Sequence, residues 1–360
     1  MGKIIKYWRS IMNEYLLNKE IIFKKTLGSL LGVAYGDAFG MPTSLWNPKM
    51  IHKYFPEGIN ELLPAPEGHV IHNGMLAGQV TDDTQQTLLL ADLFIEEKKL
   101  TRHGTARKLL EWAKNLNAFE TLILGPSSLK ALKMIDSGVP VEETGLMGDT
   151  NGAAMKIAPV GIINPGDYDA VISDVAEICV PTHNTNIAIA GASAVACAVS
   201  AGMAGKDING MIEAAMYGAE EGMKLGRQWY GASIIKRTEF ALKIVGSGKS
   251  EKEIWQDLYD YVGAGVAMSE SVPTALALVV YYKGNPLKTA YASANMGGDC
   301  DTVGAIAGGM AGAYSGSDVF PSYIIKQLSK VNNIDFEKYA KMMNAVMFEL
   351  DANKLEYLQK

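Results

Sequence analysis

The sequence predicts an all-α protein arranged as a single compact helical bundle. Three observations carry that expectation. Apolar residues recur at three- and four-residue spacing, alternating β-branched runs are rare, and no strand–helix–strand succession is present. The best strand candidate, Val279-Val280-Tyr281-Tyr282, only ends a run of helical length, 273–283. Pro273 is expected in the first turn of that helix, where its missing N–H costs nothing.

The elements follow in order. Gly28, Gly32, Gly36 and Gly40 recur every four residues and would let another helix approach closely. A loop is expected at 47–78, with Pro48, Pro56, Pro64 and Pro66, long enough to serve as a functional loop. Residues 84–97 place Leu89, Leu90, Leu93 and Phe94 on one face, with Asp92 and Glu96 toward another. Helices are read at 105–116 and 127–135, a loop at 138–151, and another loop at 163–168. Further helices are read at 169–179, 209–225, 251–261, 303–314 and 335–350. Segment 187–205 carries no charge and is long enough to cross a bilayer. It is built of Ala, Gly and Ser, which transfer weakly into lipid, so a buried core helix is expected. With no composition shift to divide the chain, residues 1–20 read as an N-terminal extension and 21–355 as one domain.

Composition narrows the function classes. The chain has 360 residues, 48% apolar and 20% charged, which fits a globular protein with a large core. A net charge of -6 and the lack of a basic stripe speak against nucleic acid as a partner. The five His residues have no zinc-ligand spacing, and three scattered Cys residues exclude a disulfide framework. No signal peptide is visible and no membrane association is expected, so a cytoplasmic monomer is the simplest reading.

Two acidic clusters, Thr81-Asp82-Asp83-Thr84 and Asp299-Cys300-Asp301-Thr302, each stand just before an apolar helix. Helix capping is the plain explanation, but one residue per helix suffices for that. Neighbouring carboxylates repel, a cation relieves the repulsion, and such hard oxygens suit Mg²⁺, Mn²⁺ or Ca²⁺. Gly297 and Gly298 would permit a turn that points Asp299 and Asp301 at one site. An aspartyl-phosphate phosphohydrolase is an alternative, but its Asp pair belongs at the end of an apolar strand. Small and polar residues precede Asp299 instead.

Five ordered motifs extend this reading: GSLLGVAYGDAFGMP (28–42), TDDTQQTLLLAD (81–92), NGAAMKIAPVG (151–161), PTHNT (181–185) and ANMGGDCDTVGAIAGGMAGA (294–313). Together they resemble the ADP-ribosylglycohydrolases. The resemblance implies an orthogonal all-α bundle with a cleft holding two Mg²⁺ (or Mn²⁺) ions. It implies metal ligation by Thr81, Asp82 and Asp83 from one side and by Asp299, Asp301 and Thr302 from the other, with Asp301 as the bridge. Gly148, Asp149, Thr150, Asn151, Gly152 and Ala153 match the loop that holds phosphates and ribose, and His183 matches a ligand-facing His. Without the resemblance, close helix packing explains the small residues and a cap or core hydrogen bond explains His183.

Two positions depart from the family pattern. Ser44 stands where many members carry a Glu near the metal and the scissile bond, and Lys156 stands where Arg is usual. Ser44 therefore faces the substrate without a carboxylate, and Asp83 is expected to handle the proton, with Asp301 the second catalytic carboxylate. Asp37 is expected to anchor backbone groups beside the cleft. Trp46, Phe55, His69 and His72 are candidates to stack on a base. The implied activity is hydrolysis of an N- or O-glycosidic bond at an ADP-ribosyl or related ribosyl group, on a protein or a small molecule. Non-catalytic ADP-ribose binding is the rival that Ser44 supports.

Overall fold

A computed structural model of the chain describes residues 19–359, with side chains described through 353. The N-terminal extension expected at 1–20 lies outside the described residues except for Lys19 and Glu20. The described residues form α-helices and short helical turns, with no strand and only isolated bridges between extended residues. The first half of the chain forms α1 (Lys19–Gly40), α2 (Pro48–Tyr54), α3 (Asp82–Glu97), α4 (Arg102–Asn115), α5 (Pro126–Asp136), α6 (Val141–Thr144), α7 (Ala158–Ile163) and α8 (Tyr168–Cys179). Then come α9 (Asn186–Met203), α10 (Ile208–Gly222), α11 (Ile234–Val245), α12 (Glu251–Asp257) and α13 (Met268–Tyr281). The chain closes with α14 (Pro286–Met296), α15 (Cys300–Ser315), α16 (Ser322–Asn332) and α17 (Phe336–Gln359).

The helix pair α1 and α15 forms the axis of the core. Gly28, Gly32 and Gly36 meet Gly312, Gly308 and Gly304 in that order, so the two helices run antiparallel. A Cβ added to Gly32 would lie 2.0 Å from the Gly308 carbonyl oxygen. Only glycine allows this approach, as the four-residue spacing predicted. Gly40 meets the Cys300 carbonyl, so the contact ends where α15 begins. This close helix packing thus sets the end of α1 against the DCDT segment.

Every residue of α9 is buried, as expected of a core helix built from Ala, Gly and Ser. The three cysteines are buried and free. Three expectations need correction. The loop predicted at 138–151 contains a short helix, α6. The loop predicted at 47–78 begins with a helix, α2, capped by Asn47, whose side chain accepts the Met50 N–H. Pro273 lies inside α13 rather than in its first turn. Its ring leaves the Ser269 carbonyl without a helical donor. The Arg237 guanidinium donates to that oxygen at 3.2 Å, so the proline is accommodated in a helix that starts five residues earlier than predicted.

Candidate active site

The TDDT segment opens α3, but its aspartates do not cap it. Asp37, buried in α1, accepts hydrogen bonds from the N–H of Thr81 and Thr84 and from the Thr84 hydroxyl. Thr81 is the N-cap residue and accepts the Asp83 N–H at 3.3 Å. With the helix end satisfied by Asp37 and Thr81, the carboxylates of Asp82 and Asp83 are free for other partners.

The DCDT segment opens α15. Gly297 (φ 93) and Gly298 (φ 98) occupy backbone conformations that favour glycine and make the turn expected of them. Asp299 holds the N-cap position, yet its side chain makes no capping bond. Asn151 donates to Asp299 Oδ2 at 2.6 Å instead. Thr302 donates its hydroxyl to the Asp83 carboxylate, 3.2 Å from each oxygen, which joins the two acidic segments across 219 positions of sequence.

A third segment closes over them. The Leu45 N–H donates to the Gly298 carbonyl at 2.7 Å, and the Gly298 N–H to the Trp46 carbonyl at 2.8 Å. This pairing sets Ser44 above the aspartates, and its hydroxyl donates to Asp301 Oδ1 at 2.5 Å. His72, from the long loop, places Nε2 at 2.9 Å from the other oxygen, Asp301 Oδ2.

Five carboxylates, of Asp37, Asp82, Asp83, Asp299 and Asp301, are thus gathered out of bulk water. Burial, reinforced by the Asp301 charge, pushes Asp37 and Asp82 up to about 7. Asp83 and Asp299 rise well above the usual range, first from burial and then from their neighbours' charge. Asp301 is the exception. Burial works to raise it, but the bonds and charge from His72, with the Ser44 hydroxyl, outweigh burial and hold it at about 2. Burial works to lower His72 in turn, and Asp301 outweighs it and raises it. Lys156, fully buried and donating to Gln86, is lowered by burial to about 8 with the Asp82 charge opposing.

Ser44, His72, Asp82, Asn151, Asp299, Asp301 and Thr302 line one cavity of about 350 Å³. Its outer wall is apolar, with Leu45, Val70, Ile71, Leu122 and Ile123. Among the described residues no Lys or Arg lines it.

The family profile described as ADP-ribosylglycohydrolase matches residues 18–353. The chain belongs to the ADP-ribosylglycohydrolase family. It is 37% identical over 319 residues to the uncharacterised protein YegU of Escherichia coli (strain K12), covering 88% of this chain and 95% of that one. It is 25% identical to the ADP-ribosyl-[dinitrogen reductase] glycohydrolase of Rhodospirillum rubrum, covering 85% of this chain and 91% of that one. The fold matches a solved ADP-ribosylglycohydrolase-related protein complex with a TM-score of 0.65 at 21% identity, over 91% of this chain and 99% of that one. A member of this family is a glycosidase, a hydrolase acting on ADP-ribosyl groups.

Against the family expectation the predicted residues divide. Ser44, Asp82, Thr150, Asn151, Gly152, Asp299, Asp301 and Thr302 face the cavity. Asp83, expected to handle the proton, lies behind them, held by Thr302, and does not line the cavity. Thr81 is engaged as a helix cap. Gly148, Asp149, Ala153 and His183 do not line the cavity. Gly148 packs against the Thr182 carbonyl, Asp149 accepts the Trp229 indole N–H, and Ala153 is core. His183 is fully buried between Thr182 and Thr150, where burial lowers it well below its usual value, so it supports the loop from behind. Of the rings expected to meet a base, His72 lines the cavity, while Trp46 and His69 stand in a stack behind it. Trp46 stacks on His69 and His69 on His72, with ring centroids 5.4 and 5.2 Å apart. The phosphohydrolase alternative fails, because the residues before Asp299 form α14 and not a strand.

Proposed function

We propose that the chain is a divalent-cation-dependent glycosidase that hydrolyses a ribosyl bond in the cavity over Asp82, Asp299 and Asp301. The observation that supports it best is the Thr302–Asp83 contact, which brings the two acidic segments to one floor. The donor set suits two Mg²⁺ or Mn²⁺ ions, since the carboxylates of Asp82, Asp83, Asp299 and Asp301 gather with His72 and Lys156 as the cations acting on them among the described residues. Among the described residues, no group of three or more His, Cys, Asp or Glu stands ready-made to hold an ion. The carboxylate oxygens accept hydrogen bonds from Ser44, Gln86, Asn151 and Thr302 and face His72 Nε2, and each oxygen keeps a second lone pair for an ion.

Asp82, Asp299 and Asp301, with Thr302, would hold the ions from the cavity side, and Asp83 from behind. Bound ions neutralise the carboxylates and lower the pKa of water toward neutrality. The chain's own groups do the rest. Asn151 orients Asp299, Ser44 orients Asp301, and Thr302 orients Asp83. Carboxylates below the sugar stabilise the positive charge of an oxocarbenium-like transition state. The apolar wall of Leu45, Val70, Ile71, Leu122 and Ile123 would pack against an apolar face of the leaving group.

A small ribosylated molecule is favoured over an ADP-ribosylated protein by one observation. The cavity has about 350 Å³ and no Lys or Arg to pair with a pyrophosphate. A hydrolysis panel of nucleosides, ADP-ribose derivatives and ADP-ribosylated arginine and serine peptides, with Mg²⁺, Mn²⁺ or EDTA, tests both levels. Cleavage of nucleosides alone supports the small-molecule reading. Cleavage that is unchanged in EDTA sinks the cation reading.

A further inference from the structure

His72 lies outside both acidic segments, yet it lines the same cavity as Asp82, Asp299 and Asp301. Its Nε2 is 2.9 Å from Asp301 Oδ2, and the side chain is only 5% exposed. Neighbouring ligands on one octahedral ion, with bonds near 2.1 Å, stand about 3 Å apart. The two atoms already hold that separation.

The His69 ring stacked on His72 is fixed in direction. The N–H groups of Ile71 and His72 donate to His69 Nδ1, at 3.3 and 3.1 Å. His69 Nδ1 is therefore the acceptor, which assigns its proton to Nε2, the atom facing the Ser44 carbonyl at 3.1 Å. His69 lies against the His72 ring at an interplanar angle of 24°, and Trp46 backs His69 at 21°. Three stacked rings thus hold one nitrogen at the edge of the carboxylate floor. Ser44, the other partner of Asp301, brings a neutral hydroxyl and no charge.

We propose that His72 is a nitrogen ligand of the ion that Asp301 binds, and that it biases the site toward first-row transition ions over Mg²⁺. The proposal rests on the divalent-cation reading above. An all-oxygen site suits Mg²⁺, whereas imidazole suits the transition ions and adds affinity along the order from Mn²⁺ to Cu²⁺. The ion would sit between an imidazole on the loop and carboxylates on the helix ends, tying the loop to the floor.

The test uses the full chain stripped with EDTA and then loaded with Mn²⁺ alone. Pulsed electron paramagnetic resonance of the wild-type protein should show a directly bonded ¹⁴N coupling. His72→Ala should lose that coupling and bind Co²⁺ more than about tenfold more weakly by calorimetry, with Mg²⁺ binding little changed. Added imidazole should restore the coupling in His72→Ala. Bound Mn²⁺ without nitrogen coupling in the wild type overturns the proposal and leaves the cation reading standing. No uptake of Mn²⁺, Co²⁺ or Mg²⁺ by the wild type overturns both. The wild-type spectrum decides even if the variant does not fold.

Discussion

The floor and the roof of the cleft are built by different means. The floor is set by backbone against backbone, where glycines of α1 and α15 touch and bring Gly40 against Cys300. The roof is set by side chains, where Trp46, His69 and His72 stack and two backbone bonds hold residues 45–46 to Gly298. Backbone contacts of this kind tolerate no added atom. The stacked rings meet through side chains alone, so a substitution there changes what faces the floor without moving the helices. The floor therefore fixes where charge sits, and the roof governs what meets it.

The sharpest way to break the floor chemically is Asp301→Asn. Cation uptake by calorimetry and turnover on the best substrate should both fall by more than about 100-fold. Retention of both would remove Asp301 from the site. The mechanical counterpart is Gly32→Ala, which puts a methyl 2.0 Å from the Gly308 oxygen. It should cost about 1–3 kcal/mol or more in denaturant unfolding. Val70→Ala in the roof, at an exposed position, should stay within about 0.5 kcal/mol of wild type.

Acidity provides a test that spans both parts. Asp37 and Asp82 titrate near 7 in the folded protein against the ordinary aspartate value of 3.8. The stability their protonated forms contribute is complete below about 3.8 and is lost as pH rises through about 7. His72, also raised, acts in the same direction. Asp301, lowered to about 2, acts in the opposite direction, but only at more acid pH. The EDTA-treated protein should therefore melt at lower temperature at pH 8 than at pH 5. The rise in melting temperature on adding Mn²⁺ should be larger at pH 8. An equal rise at both values would separate the carboxylates from cation binding.

Ser44→Glu tests the contact between the two parts. It replaces the hydroxyl bonded to Asp301 by another carboxylate. Mg²⁺ affinity should increase, while the melting temperature in EDTA should fall from added repulsion. Unchanged values would mean that the side chain at 44 points away from the ions.

Much of the fold and part of the site are legible in the residues themselves. Glycine at four-residue spacing implies a close helix partner, and Ala-rich α9 implies burial, because both follow from side-chain volume alone. The acidic segments announce themselves by offering more oxygens than a helix cap uses. The role of Asp37 as the cap of α3 is only partly visible, since the accepting and donating residues lie 44 to 47 positions apart. The motif around His183 points to the ligand side, whereas the structure sets that ring behind Gly152.

Local periodicity and residue chemistry by themselves determined an all-helical chain, a glycine-mediated helix contact and two segments rich in carboxylate. Tertiary structure alone decided that Asp83 stands behind the wall and that His72 meets Asp301, 229 positions away. The reason is physical. A helix registers its own neighbours at three and four residues, whereas the long loop that carries His72 has no period to read. Its direction comes from rings and carbonyls brought to it by the rest of the fold.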